Sequence, residues 1–291
     1  MVLIADSGST STNWRLLSPT HKSSICNINT IGLNPFHVSE EEIIDVIQNQ
    51  VKPQIVQKVS FDKIQKIYFY GSGCSTLNKQ ELIKKCICLI FQNAEVIVDH
   101  DTMASAIAGC GDDIGIACIL GTGSNSCVYD GKTIVKTLPS LGYMLGDEGS
   151  GTHIGKGLLK LVLKEKLPIE LLKLFNEKYK LSSLDILNHL YRKEKPGAFI
   201  SSFAPFVIEN IEHKTMISIV RNSFTAFFDE FILPYPESAT YPISFVGSIA
   251  ALLSNRLIEI GKEKQLYIHN IIQYPIDALE VYHLNKIFRN N

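Results

Sequence analysis

One local pattern occurs twice in this chain, and it constrains the fold more than any other feature. Val2-Leu3-Ile4-Ala5 is a short apolar run that reads as a buried strand. It empties into Asp6-Ser7-Gly8-Ser9-Thr10-Ser11-Thr12, and a second strand carries the chain away to Leu17. Gly115-Ile116-Ala117-Cys118-Ile119-Leu120 is another such run. It empties into Gly121-Thr122-Gly123-Ser124-Asn125-Ser126, and Cys127-Val128-Tyr129 continues as a strand to the turn pair Asp130-Gly131. A hairpin tip of glycines and hydroxyl residues lets the backbone approach a ligand and aims amides and hydroxyls at one spot. Asp6 stands beside such a spot and can hold Mg2+ directly or through water. One such turn is an ordinary polar hairpin. A matched pair implies two similar half-molecules facing one another, each offering a phosphate-binding hairpin.

A third element has the same flavour. Residues 241–246 read as a strand, and Gly247-Ser248-Ile249-Ala250 opens a helix. Glycine at a strand-to-helix junction admits a ligand to the helix N-terminus, although any tight strand–helix turn uses it too.

At these three elements the chain resembles the actin-like ATPase superfamily of sugar kinases, Hsp70 and actin. The resemblance implies that Asp6, Gly8, Ser9, Thr10 and Thr12 form the first phosphate motif. It makes Gly121, Thr122, Gly123 and Ser124 the second, and Gly247 and Ser248 the adenosine motif. A more specific match is Gly146-Asp147-Glu148-Gly149-Ser150, which is similar to the BadF/BadG-type ATPases and, within them, the N-acetylglucosamine kinases. Gly32-Leu33-Asn34-Pro35, Asp101 after a strand, and His189-Leu190-Tyr191-Arg192 are further local matches. The implied fold is α/β: a two-lobed actin-like ATPase (ribonuclease H-like) architecture, each lobe a mixed sheet flanked by helices, with the ligand cleft between lobes. The lobes are expected at 1–110 and 111–291, with the last helix, 277–291, packing back on the N-terminal lobe.

Composition narrows the function. At 291 residues, 45% hydrophobic and 20% charged, the chain can build sizeable cores. A net charge of −1 offers no electrostatic footprint for nucleic acid. The lysines and arginines between 159 and 195 alternate with acids and apolar residues, as solvated helix faces do. Seven cysteines, an odd count without Cys-x-x-Cys, read as free thiols in a reducing compartment, with no structural zinc. The N-terminus runs straight into a strand, so no signal peptide is expected. No apolar stretch approaches the roughly 20 residues that span a membrane, so a cytoplasmic protein is expected.

Strands are predicted at 2–5, 12–17, 23–30, 66–70 and 95–98. Helical spacing covers 40–57, interrupted at Pro53 and capped by Ser39, then 78–91 and 103–108. After the two strands of the second half the pattern turns helical: 151–166, 168–178, 182–193, 198–211, 214–232, 248–262 and 277–288. Gly131-Lys132-Thr133 imitates the end of a P-loop, but the required earlier glycine is Ser126 and a strand-to-strand turn surrounds it.

Phosphoryl transfer to a sugar hydroxyl needs a phosphate cradle, a metal, an oriented acceptor and usually a base. Asp101 is the expected base, where the family places it; an aspartate there also suits a helix N-cap. Asp99, two residues earlier, is the competitor, and His100 between them points the other way along a strand. By resemblance the acceptor is held by Asn34, Asn125, Asp147 and Glu148; carboxylates and amides suit a sugar because each binds two hydroxyls. Asn34-Pro35 is also a turn starter, and Ser150 a plausible N-cap. ATP and Mg2+ are the implied cofactors, an amino sugar the implied substrate, and a homodimer the implied assembly. The chain departs from the animal-type pattern in two places: the family's Gly-Trp-Gly is Ser140-Leu141-Gly142 here, a change that bears on the pocket for the N-acetyl group, and its Gly-Ala pair near the last helix is Asp277-Ala278. The competing expectation is a BadF-type ATPase that energises a partner enzyme through an iron–sulfur cluster. The last cysteine, Cys127, lies too early for that.

Overall fold

The structure is a computed structural model describing residues 1–8, 10–21 and 23–289. The chain resolves into two compact units, Met1–Asp113 with Tyr274–Asn291, and Ile114–Gln273.

The first unit is a five-stranded sheet made of β1 (Val2–Ser7), β2 (Ser11–Leu17), β3 (Cys26–Ile31), β4 (Lys66–Gly71) and β5 (Glu95–His100), in the order β3-β2-β1-β4-β5. β1 pairs antiparallel with β2 and parallel with β4; β2–β3 is antiparallel and β4–β5 parallel. Leu3, Ile4 and Ala5 are all fully buried because β1 is central and covered on both faces. Alternation sorts the side chains. Leu3, Trp14, Phe69, Ile83 and Ile87 form one core; Ile4, Leu17, Tyr70 and Ile107 form the other.

The first core packs under α1 (Glu40–Val46), α2 (Lys52–Val56) and α3 (Leu77–Ile90); α4 (Asp101–Cys110) covers the second face. Ser39 and Glu42 make a reciprocal capping box at the start of α1. The expected break at Pro53 does not occur. A π-helical turn, Ile47–Val51, joins α1 to α2, and the Lys52 amide reaches back to Ile47 O. That shift puts Pro53 in the first turn of α2, where its missing N–H costs least.

The second face is completed by the last helix, Pro275–Arg289, through Ile276, Leu279 and Leu284. Polar ties set its register: Tyr70 Oη lies 3.0 Å from His283 Nε2, and Lys286 Nζ is 2.8 Å from Asp112 Oδ1.

The second unit repeats the plan. β6 (Ile114–Leu120), β7 (Ser124–Asp130), β8 (Ile134–Thr137), β9 (Ile243–Val246) and β10 (Ile268–Ile272) lie in the order β10-β9-β6-β7-β8. Read from the other edge, this is the strand order of the first sheet, and the orientations match: β6–β7 and β7–β8 antiparallel, β6–β9 and β9–β10 parallel. β8 and β10 have no counterpart in the sequence-based expectations.

Helices α5 (Gly142–Leu145), α6 (Gly151–Leu163), α7 (Ile169–Tyr179), α8 (Ser183–Arg192), α9 (Pro196–Ser201), α10 (Ala204–Glu209), α11 (Lys214–Phe227), α12 (Ser248–Leu252) and α13 (Ser254–Glu263) complete the unit. The expected single helix 198–211 is two, because Pro205 falls in the first turn of α10 and starts it afresh. The core joins Phe224, Phe227, Phe228 and Phe245 to α6 through Ile154 and Leu158. Gly131-Lys132-Thr133 is the β7–β8 turn: Asp130 Oδ1 accepts the Lys132 and Thr133 amides at 2.8 and 2.7 Å. No helix among the described residues is long and apolar enough to cross a membrane.

Candidate active site

In the first unit, the hairpin between β1 and β2 is braced from below. Ser7 Oγ and Thr12 Oγ1 are 2.8 Å apart, Thr12 Oγ1 donates to Ile31 O at 2.9 Å, and Ser7 Oγ accepts the Leu33 amide at 3.0 Å. Thr12 is fully buried, so it braces the turn rather than facing its tip. Gly8 and Thr10 are exposed at the tip, where Gly8 N donates to Ser11 O at 2.9 Å. Ser9 lies outside the described residues.

Two carboxylates stand together beside this hairpin. Burial, and then the charge of Asp101, push Asp6 up to about 7. Asp101 is the first residue of α4; its N-cap is His100, whose side chain makes no capping bond. Burial pushes the Asp101 carboxyl up as well, partly opposed by the His100 charge, the Thr102 amide, and the Ser72 and Thr102 hydroxyls. Asp99 is arranged differently. Its Oδ1 turns back to accept its neighbour's amide, His100 N, at 2.8 Å.

Ser72 connects Asp101 to the expected sugar ligand. Asn34 Nδ2 reaches Ser72 Oγ at 3.5 Å, while Asn34 Oδ1 accepts the Phe36 amide at 2.9 Å and so shapes the turn at Pro35. Gly73, at φ +82°, makes room for that amide group: a Cβ there would lie 2.2 Å from Asn34 Oδ1. Ser72 and Gly73 escaped the sequence reading, although Gly71-Ser72-Gly73 directly after an apolar run is a visible signal. Cys74, next along, is buried, and burial with the charges of Asp101 and Asp99 pushes its thiol to about 12.

In the second unit, the β6–β7 turn and the glycine-rich loop form one hydrogen-bonded body. Gly151 N donates to Gly121 O at 2.8 Å and Thr152 N to Thr122 O at 3.1 Å. Thr152 Oγ1 also donates to Thr122 O, at 2.6 Å. Asp147 Oδ1 accepts the Ser124 amide at 3.3 Å, and a Cβ on Gly123 would lie 3.0 Å from the same oxygen. The Ser124 hydroxyl is buried with no hydrogen-bond partner among the described residues. Asn125 is half-buried, with Oδ1 on the Ser126 amide at 2.8 Å.

Asp147 is 7% exposed and sits at φ +61°, in the left-handed region. Burial pushes its carboxyl up, while the Ser124 amide and Lys156 pull it down. Glu148 is half-buried beside it. Gly149, at φ +78°, is wedged against Phe227 and Leu120. Ser150 is the N-cap of α6 and accepts the His153 amide. Gly247 also abuts this body, and Ser248 is the exposed first residue of α12.

Thr152 and Lys156, both on α6, escaped the sequence reading. A cavity of about 790 Å³, lined by His153, Lys156, Lys160 and Lys214 among others, holds none of the expected site residues. There burial, Lys156 and Lys160 hold His153 down at about 4, so it stays neutral.

No family model matches the chain, and no curated protein matches it. Solved structures do. A candidate N-acetylglucosamine kinase from Porphyromonas gingivalis is 37% identical with a TM-score of 0.92, over 98% of this chain and 99% of that one. A second candidate N-acetylglucosamine kinase, from Chromobacterium violaceum, is 15% identical with a TM-score of 0.76, over 97% and 98%. A ROK-family glucokinase from Streptomyces griseus, solved with glucose and AMPPNP, is 12% identical with a TM-score of 0.56, over 100% and 99%. The last two speak for the fold alone. With the two matching sheets, they bear out the expected α/β fold class, each sheet mixed and flanked by helices. The full-length match at 37% identity goes further: the chain is a carbohydrate kinase, a member of the N-acetylglucosamine kinase family among the BadF/BadG-type ATPases.

Proposed function

We propose that this kinase transfers the γ-phosphoryl group of ATP to the 6-hydroxyl of N-acetylglucosamine. The observation that carries the reading is the hydrogen-bonded link from Asp101 through Ser72 to Asn34, which joins a base to a sugar ligand. Asp101 accepts the hydroxyl proton as the sugar oxygen bonds to the γ-phosphorus and the bond to the β-phosphate oxygen breaks. ADP leaves with that electron pair, and Asp101 later gives its proton to water. A carboxyl raised by burial suits this task, because a base works best with a pKa near the working pH.

Asn34, Asn125, Asp147 and Glu148 hold the sugar hydroxyls. Gly8, Ser9, Thr10 and the Gly121–Ser124 turn hold the phosphates, with Thr12 bracing the first hairpin. Gly247 and Ser248 carry the adenosine. Asp6 fits Mg2+: it is a hard oxygen donor whose charge is held back by burial and by Asp101, the strain a cation relieves. When bound, Mg2+ neutralises phosphate charge. The same reading makes the protein a cytoplasmic homodimer.

An ADP-release assay across N-acetylglucosamine, glucosamine, N-acetylmannosamine, N-acetylmuramic acid and glucose tests the assignment. N-acetylglucosamine should give the highest kcat/KM. A flat response, or ADP release independent of sugar, overturns it.

A further inference from the structure

Asp147 has a non-glycine backbone in the left-handed region, at φ +61°. Such a conformation is disfavoured for any residue with a Cβ and persists only where its surroundings enforce it. The residues after it are wedged: Gly149 against Phe227 and Leu120, and Gly151 bonded to Gly121. The residues before it are a single helical turn, α5, whose Leu145 and Met144 side chains are largely exposed. The last carbonyls of so short a helix have no partners of their own.

Lys156 supplies them. From α6 its Nζ donates to Tyr143 O at 2.8 Å and to Gly146 O at 3.1 Å, the peptide that leads into Asp147. Gly197 seats the Tyr143 ring from the other side: a Cβ there would lie 3.3 Å from Tyr143 Cβ. Because α6 is itself fixed to the Gly121–Ser124 turn, one ammonium closes the loop into a ring.

We propose that Lys156 is a positioning residue: it sets the Asp147 carboxylate for the sugar without touching the sugar itself. Burial lowers the Lys156 ammonium from its ordinary value, and the Asp147 and Glu148 carboxylates pull it back up. The charge is thus tied to the acids it positions. The role rests on the reading of Asp147 as a sugar ligand.

The test compares Lys156→Met, Lys156→Arg and Asp147→Asn, each with KM for N-acetylglucosamine and for ATP, and with Tm. Lys156→Met should raise the sugar KM about tenfold or more while the ATP KM changes less than about twofold. Lys156→Arg, which keeps charge and donors, should recover most of the loss. A sugar KM unchanged in Lys156→Met, beside a raised one in Asp147→Asn, overturns the role of Lys156 alone. An unchanged sugar KM in Asp147→Asn overturns the sugar reading and the proposal with it. Should Lys156→Met not fold, Lys156→Gln carries the same comparison, keeping a donor without the charge.

Discussion

Gly247 lies directly against Leu120: a Cβ on this glycine would sit 2.4 Å from the Leu120 carbonyl oxygen and 3.3 Å from the Gly121 amide. The strand-to-helix junction therefore rests on the backbone of the second hairpin, and φ +124° is closed to other residues. Gly247→Ala should push the two apart. We expect a stability loss of about 2 kcal/mol or more, read as a lower Tm, and ATP affinity weakened about tenfold or more in titration calorimetry. Unchanged ATP affinity would detach this junction from the nucleotide.

Asp101 and Asp99 end the same strand–helix passage but face different partners, one the Ser72 hydroxyl and the other a neighbouring amide. Asp101→Asn should lower kcat about a hundredfold or more, with both KM values within a few-fold of wild type. Asp99→Asn should cost far less. The opposite ranking in steady-state kinetics would exchange their roles.

Asp6 links stability to pH. Its pKa is raised to about 7, so between the ordinary carboxylate value and about 7 the folded chain binds more protons than the unfolded one. Stability from this group is therefore present below that window and is lost as pH rises through it. Asp6→Asn should raise the Tm of the nucleotide-free protein at pH 8 and leave it nearly unchanged at pH 4. Magnesium dependence should run the other way, with less metal needed as pH climbs past 7 and Asp6 ionises. Melting curves without nucleotide that run parallel for both proteins at every pH would refute the assignment.

Thr10 and Thr12 separate contact from support. Thr12→Val removes the bond to Ile31 O inside the sheet and should cost about 1–2 kcal/mol of stability, with little change in ATP KM. Thr10→Ala, at the exposed tip, should do the reverse: near-normal Tm, weaker ATP. Equal effects on ATP would show that Thr12 is more than a brace.

Both hairpins were legible because their strands are apolar runs and their turns are glycine and hydroxyl residues. Those signals are local. β8 was missed because it is an outer strand with Val135, Lys136 and Thr137 exposed, so no alternation marks it. β10 is short and lies at the sheet edge, paired with β9 and packed by α12 and α13, so its structure is decided by neighbours distant in sequence. Asp6, Asp101 and Asp147 announced themselves as acids beside strands or glycines. Lys156 did not, and Ser72 carried only the faint signal of a Gly-Ser-Gly run after an apolar strand. Lys156 acts on backbone carbonyls, which any sequence would supply, and Ser72 acts through its place between Asn34 and Asp101, which only the fold creates.

The last helix, Pro275–Arg289, covers Ile4, Leu17 and Tyr70 on one face of the first sheet. The ribosome makes those residues early and their cover last. Until Pro275–Arg289 is made, that face of the earlier segment has α4 but lacks its second covering helix, although its five strands are complete by His100, whereas the later segment lies wholly within Ile114–Gln273. The later segment can therefore complete its packing on the nascent chain before the earlier one does.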